Sequence, residues 1–271
     1  MIKIEMQNIW LGYHRKEVLK GVNFQVLPGE MVGLIGPNGC GKSTIIRALS
    51  GIISPYRGRI LLDGKDLVSI SRQELARMLG VVPQMPLLPS AFTAFEIVLM
   101  GRNPHLGLFQ YEGQTELDIA WRAMELTMTW HLAKRRVSEL SGGEIQCLLI
   151  ARALTQETKA VLLDEPTANL DIGRQIEILN LIKNLCLKNN LAVLAALHDL
   201  NLASQYCDRL VLIKDGQVHA QGTPGEVITS QNIKEVYGAD GCVYTHPANG
   251  LPAVLINPGN GKLSGMQDGV K

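Results

Sequence analysis

The sequence predicts an α/β fold, and three observations predict it. Short, almost wholly apolar runs recur along the chain, "MVGLIG" from Met31, "AVLLDEP" from Ala160 and "LAVLAAL" from Leu191, each followed by a stretch with helical spacing. Runs of this length suit strands buried on both faces of a sheet. The first of them leads directly into a glycine-rich loop, "GPNGCGKS" (36–43), which opens one of those helices. The third observation is a change of texture from about Pro86 to Arg136, where a proline-rich stretch gives way to helical patterning with little β-branching. With 46% hydrophobic residues in 271, the chain has enough apolar surface for a substantial core.

The elements follow in order. "IKIEMQNIWL" alternates at roughly period two and predicts a strand, and "GVNFQVLPGE" a second strand and a turn. "MVGLIG" is the buried strand before the glycine loop, and "KSTIIRALSGI" the helix after it. "GRILLDGKDL" reads as a strand and turn. "SRQELARML" opens with Ser71 and carries Glu74 three residues later, a capping-box signal. "PQMPLLPS" then starts the block in which "AFEIVLMGR" and "TELDIAWRAMELTMTW" have helical spacing; it reads as an inserted helical subdomain. After the two later buried strands, "RLVLIKDGQVHAQG" predicts a hairpin turning at Asp215-Gly216. The tail from about Pro258 is glycine-rich and expected to fray. There is no internal repeat and no heptad pattern.

The bulk numbers exclude several classes. A net charge of +1 gives no electrostatic case for binding nucleic acid or acidic lipid. Five cysteines (Cys40, Cys147, Cys186, Cys207 and Cys242) include no CxxC and argue against a disulfide framework or zinc site, which fits a reducing compartment. The N-terminal stretch has no apolar run of signal-peptide length. The longest apolar run, 191–197, is far short of the ~20 residues of a membrane helix, so the chain is not expected to span a membrane.

The residues that carry chemistry sit at strand ends and helix starts. In the loop formed by Gly36, Pro37, Asn38, Gly39, Cys40 and Gly41, the glycines let backbone N–H groups converge on phosphate oxygens. Lys42 supplies a point charge to β- and γ-phosphates, Ser43 offers a hydroxyl to Mg²⁺, and Thr44, next on the helix, completes the nucleotide-binding set. Cys40 reads as a filler and not as a nucleophile. Asp164 and Glu165 end an apolar strand, where one carboxylate can reach a metal and its neighbour can orient or deprotonate a water. Gln84, in "VVPQ", offers an amide oxygen to the same metal, although alone it would be an ordinary loop glutamine. His198 also ends a strand, and Tyr13 follows the first strand with a ring able to stack on adenine; each, alone, is more often structural. Finally "LSGGE" (140–144) places Ser141, Gly142 and Gly143 before the long apolar helix "IQCLLIARAL". That is a second anion cradle for what looks like one nucleotide.

The ordered set "GPNGCGKST", "VVPQ", "LSGGE", "VLLDEP", "ANLD" and "LHD" resembles the ATP-binding cassette (ABC) ATPase family over about residues 1–240. The resemblance implies a phosphate-loop (RecA-like) core with an antiparallel β subdomain and an inserted α-helical subdomain at about 86–155, followed by a C-terminal extension, 241–271. It implies ATP and Mg²⁺ as cofactors, with Ser43, Gln84 and Asp164 around the metal. It also implies a head-to-tail homodimer, in which Ser141, Gly142 and Gly143 bind the γ-phosphate of the partner's ATP. Tyr13 becomes the adenine platform, Glu165 the catalytic base, His198 the switch beside the γ-phosphate, Asp171 part of the loop coupling the two sites, and Gln84 the link to a membrane partner. Ile145 and Cys147 depart from the usual basic residues of the signature helix, and Asn169 from a commoner small residue.

"AFTAFEIVLMGRNPHLGLF", "GQVHAQGTPGEVITSQNIKEVYG" and "HPANGLPAVLIN" resemble the importer cassettes for iron-siderophores, haem and cobalamin. The implied protein is a peripheral ATPase on the cytoplasmic face of the cell membrane, working with permease subunits and, indirectly, an external binding protein, and not with nucleic acid. Importers of molybdate or other metal ions share much of this pattern. An exporter cassette, which often carries a fused membrane domain, and a soluble non-transport ABC ATPase are the more distant alternatives. His105, in "GRNPH", reads as part of a helix end and not as a metal ligand.

Overall fold

The structure, a computed structural model, describes residues 2–13, 16–84, 88–107, 110–168, 170–239 and 241–256. In chain order its elements are β1 (Ile4–Tyr13), β2 (Lys16–Val26), β3 (Met31–Ile35), α1 (Lys42–Leu49), β4 (Arg57–Leu62), β5 (Lys65–Asp66), α2 (Arg72–Met78) and β6 (Leu79–Val82). Then come α3 (Ala94–Leu99), α4 (Gln114–Leu126), α5 (Gly142–Thr155), β7 (Ala160–Asp164), α6 (Ile172–Asn189), β8 (Ala192–Ala196) and α7 (Leu200–Tyr206). The chain continues through β9 (Arg209–Lys214), β10 (Gln217–Gly222), α8 (Pro224–Val227), α9 (Ser230–Tyr237), β11 (Gly241–Thr245) and β12 (Pro252–Ile256).

Among the described residues the strands form three sheets. The apolar runs β3, β7 and β8 lie inside a six-stranded sheet of order β10-β9-β3-β8-β7-β6, parallel except for β10, and all three are buried along their whole length. The alternating strands β1, β2 and β4 join β5 in a four-stranded antiparallel sheet. Helix α1 lies between the two sheets, where Ile45 and Leu49 share one apolar cluster with Ile9, Leu19 and Val22 of the antiparallel sheet and Leu34, Leu162 and Leu194 of the parallel one. On the other face, α5, α6, α7 and α9 cover Ile35, Leu163 and Val193.

The block of altered texture forms a third apolar cluster. Ile97 and Val98 of α3 and Ala123 and Met124 of α4 pack on Leu148 and Ala151 of α5. Leu149 and Ile150 of the same helix face the parallel sheet. Helix α5 is therefore apolar nearly all round because it is wedged between two cores. No helix among the described residues is long and apolar enough to cross a membrane.

Two local expectations differ from what is observed. Ser71 does cap α2, accepting from the Glu74 backbone N–H at 3.2 Å, but the reciprocal arm is missing: Lys65 holds the Glu74 carboxylate at 3.2 Å. The C-terminal extension is ordered as a hairpin over 241–256, for which the sequence reading assigned no strands. The glycine-rich tail from Pro258 and the departure at Asn169 lie outside the described residues.

Candidate nucleotide site

The phosphate loop is built by close approach. Gly36 and Gly41 have φ of 144° and 114°, which favour glycine. A Cβ on Gly36 would collide with the Ile213 carbonyl oxygen, and one on Gly41 would meet Leu19 Cδ2 at 2.8 Å. The loop therefore lies against β9 and β2, and its turn ends in α1 with no side-chain cap. Lys42 is 5% exposed, and its ammonium donates to the carbonyl oxygens of Gly36 (2.7 Å) and Pro37 (3.1 Å). That anchors the charge inside the loop. Cys40 is also buried; burial raises its thiol pKa against the opposing pull of Lys42, which keeps it a protonated filler.

The remaining groups arrive from the carboxyl ends of neighbouring parallel strands, where open α/β sheets bind ligands. Asp164 ends β7, and its Oδ1 accepts from the Ser43 hydroxyl at 3.1 Å. Burial raises the Asp164 pKa, and the Ser43 hydrogen bond opposes that rise. Glu165 follows in a left-handed conformation, φ 54°, with its N–H donating to Ala196 of β8 at 3.2 Å. The turn aims its carboxylate between two partners: Gln84 Nε2, two residues past β6, and His198 Nε2, two residues past β8. An open pocket of about 140 Å³ is lined by Asn38, Gly39, Gly41, Lys42, Ser43, Thr44, Glu165 and His198, with Val18 as its apolar wall. Tyr13 ends β1, 37% exposed, and is not part of that lining.

The signature turn lies in a different pocket. Ser141 caps α5 in a complete capping box: its hydroxyl accepts from the Glu144 N–H at 3.3 Å, while the Glu144 carboxylate takes the Ser141 N–H at 2.7 Å and lies 2.9 Å from its hydroxyl. The Ser141 N–H, first among the causes, holds the Glu144 pKa below the ordinary carboxylate range. Asp171 caps α6 by accepting from the Arg174 N–H at 2.9 Å. Ser141, Gly142, Gly143, Glu144, Asp171 and Arg174 line an open pocket of about 540 Å³ together with His131, and none of them borders the phosphate pocket.

Sequence reasoning passed over His131 and Arg174. His131 stands in the "TMTWHL" connection, where only its polarity marked it. Of the departures in the signature helix, Cys147 is buried and Ile145 packs against the core cluster, so apolar contacts stand where charges were expected. In "GRNPH", Arg102 is buried; it donates to Thr155 O and pairs with Glu157, each at 2.9 Å, and His105 Nε2 lies 2.8 Å from Gln156 O. These residues tie the turn after α3 to the C-terminal end of α5. Among the described residues no cluster of His, Cys, Asp and Glu could hold a metal by itself.

The profile of the ABC transporter family matches residues 19–168, which include the phosphate loop, Gln84, the signature turn and Glu165. The chain belongs to the ABC transporter family. Among its relatives it is 41% identical over 251 residues to the cobalamin import ATP-binding protein BtuD of Halobacterium salinarum, covering 93% of this chain and 62% of that protein. It is 37% identical over 253 residues to the ferric enterobactin transport ATP-binding protein FepC of Escherichia coli, covering 93% of each. Among solved structures it is similar to an inward-facing metal-chelate type ABC transporter, with a TM-score of 0.81, 29% identity and 94% and 97% of the two chains covered. It is also similar to a dimeric, post-hydrolysis ATP-binding cassette bound to ADP and Pi, with a TM-score of 0.73, 27% identity and 81% and 98% covered. The cassette is thus a nucleotide-binding ATPase with the phosphate-loop ABC fold.

Proposed function

We infer that the chain is the ATP-hydrolysing subunit of a membrane importer for an iron chelate (siderophore or haem) or cobalamin. It works as a head-to-tail pair beneath a permease dimer, on the cytoplasmic face of the membrane, with cargo delivered by an external binding protein and with no nucleic-acid partner. The observation that carries the paired arrangement is the separation of the two anion cradles: their pockets share no lining residue. One chain cannot close both around one triphosphate, whereas two chains facing each other can. The importer class rests on relatives named for cobalamin and ferric enterobactin and on the likeness to a metal-chelate type transporter. In this reading residues 1–240 are the cassette, 86–155 its inserted helical subdomain and 241–271 an extension.

In the proposed mechanism the loop N–H groups and Lys42 hold the β- and γ-phosphates of ATP, and Tyr13 stacks on the adenine. The donor set suits Mg²⁺: the Ser43 hydroxyl and the Asp164 carboxylate already meet at 3.1 Å and are both oxygen ligands, with the Gln84 amide oxygen as a third. Mg²⁺, when bound, neutralises charge on the phosphates. Ser141, Gly142 and Gly143 of the partner close on the γ-phosphate, helped by the positive end of α5. Glu165 takes a proton from the attacking water as the water oxygen bonds to the γ-phosphorus and the bridging oxygen leaves with ADP. The Glu165 carboxylate is held by His198 and Gln84. In this reading nucleotide binding exchanges partners: His198 turns to the γ-phosphate and Gln84 to the permease side, where its amide oxygen would also be free to hold Mg²⁺. Asp171, on the rim of the signature pocket, relays closure between the two sites.

The test is a trap. Glu165→Gln lowers turnover by about 10²–10⁴-fold, the usual worth of a general base, and leaves ATP binding intact. With ATP it accumulates as a dimer of twice the monomer mass by light scattering. Adding Ser141→Arg abolishes that dimer while the affinity of the monomer for ATP is unchanged. Normal turnover in Glu165→Gln would remove it as the base, and weakened monomer binding in Ser141→Arg would sink the shared-site arrangement.

A further inference from the structure

His198 touches Glu165 from a turn between β8 and α7, so its position depends on what holds α7. The turn itself is short: Asp199 caps α7 by accepting from the N–H groups of Asn201 (2.7 Å) and Leu202 (3.0 Å). A seven-residue helix has no stability of its own, and its place is set by tertiary contacts. One face is buried through Ala203 and Ser204. The side that carries Ser204 is held by the C-terminal hairpin. The Asn201 side chain accepts from the Val254 N–H at 2.7 Å and donates to the Val254 carbonyl at 3.3 Å, as a neighbouring strand would. Ser204 donates its hydroxyl to the Pro252 carbonyl at 2.7 Å, and Asn249 reaches Gln205. Asn201, Ser204 and Gln205 are spaced i, i+3 and i+4, so one side of the helix is bonded to the hairpin.

The hairpin is itself firmly mounted. Val243 and Val254 pack against the cluster that holds Ala203, Ile233 and Val236. Gly241 lies so near α9 that a Cβ would meet Ile233 Cγ2 at 3.1 Å. Helix α9 is tied to the parallel sheet in turn, through Lys214 Nζ to the Glu235 carbonyl at 2.7 Å and the contact of His219 Nε2 with the Glu235 carboxylate at 3.3 Å. A continuous set of contacts thus runs from the sheet, through α9 and the hairpin, to the first turn of α7, three residues from His198.

We propose that Asn201 is a positioning residue for ATP hydrolysis: by locking α7 to β12 it fixes the turn that presents His198 to Glu165 and to the γ-phosphate. The hairpin 241–256 is the clamp that makes this possible. The inference rests on the role given to His198 above.

The experiment is a double-mutant cycle in the full-length protein, with steady-state ATPase rates for wild type, Asn201→Ala, His198→Ala and the pair. Asn201 is exposed, so its truncation leaves the core intact, and thermal melting checks the fold. Asn201→Ala lowers kcat by about threefold to tenfold, the worth of two lost hydrogen bonds acting on the barrier. KM and ADP affinity stay within about twofold, because the phosphate loop is untouched. On the His198→Ala background the same change has no further effect, since the group it positions is gone. An equal fold loss on both backgrounds, a loss confined to KM, or wild-type kcat in Asn201→Ala overturns the clamp while leaving the role of His198 standing. An unchanged kcat in His198→Ala instead overturns the reading of His198 itself.

Discussion

The phosphate loop and the signature turn are both glycine-rich openings of helices, yet their donors are in opposite states. At the loop, Gly41 caps α1 without a side chain, Lys42 is buried, and its ammonium is anchored on the loop's own carbonyls. The first-turn residues Lys42, Ser43 and Thr44 line the phosphate pocket, and a helix leaves its first N–H groups without internal partners. At the signature turn the Ser141 N–H and hydroxyl are both engaged by the Glu144 carboxylate, itself paired with Arg135 at 3.2 Å. In the proposed pair the loop receives an anion on its own, whereas the signature turn, whose Ser141 N–H is taken by a carboxylate of its own chain, meets a phosphate only across the interface. On that reading one chain binds nucleotide and needs a partner to close the site.

The sharpest way to break that contrast is at Lys42. Lys42→Ala removes the charge aimed at the phosphates and strands the Gly36 and Pro37 carbonyls; ATP affinity by titration calorimetry falls about 100-fold, roughly 2.7 kcal/mol. Unchanged affinity would make the loop no more prepared for an anion than the signature turn. A smaller effect comes from Asp164. Its folded pKa is raised by burial above the unfolded value, so the native state holds its proton more tightly. That costs stability, the cost being absent at acid pH and growing as pH rises through the unfolded and then the folded value. Asp164→Asn removes it: the melting temperature of the nucleotide-free protein rises at pH 7 and falls less between pH 4 and 7. The same variant loses the Mg²⁺-dependent gain in nucleotide affinity. A drop in melting temperature with the Mg²⁺ response intact would take Asp164 out of the metal shell.

How much of this was legible differs between the same two regions and the C-terminal one. The strand ends that bring Gln84, Glu165 and His198 together follow from short apolar runs, whose length and composition specify buried parallel strands, and the helix opened at Lys42 follows from the glycine spacing. The sequence reading takes "SGGE" only as an anion cradle, although Ser141 with Glu144 three residues on also has the capping-box spacing. Asp171 is an N-cap for the same chemical reason. What could not be read is whatever depends on distant partners. "GCVYT" and "PAVLI" make a two-stranded hairpin too small to stand alone. It is held by Val243 and Val254 packing on the core cluster and by bonds to Asn201 and Ser204, some fifty residues earlier in the chain. Arg102 likewise became a buried capping group only once the turn after α3 met the end of α5.

The gentlest change sharpens the comparison most directly. Glu144→Gln keeps a side chain that completes a capping box but removes the negative charge standing where, in the proposed pair, the partner's γ-phosphate binds. On the Glu165→Gln background, the ATP concentration at half-maximal dimer formation falls by about twofold to threefold at low salt, and the advantage fades as salt screens it. The change also alters the response to acid. Glu144 has a folded pKa below its unfolded value, so its contribution to the α5 cap is full above the unfolded value near 4.3 and is lost as pH falls through the folded value. Glu144→Gln has no such loss, so thermal melts of the two proteins differ most at neutral pH and converge in acid. If instead the glutamine variant dimerises less readily than its parent at low salt, the carboxylate helps closure and is not the anion that the partner's phosphate must displace.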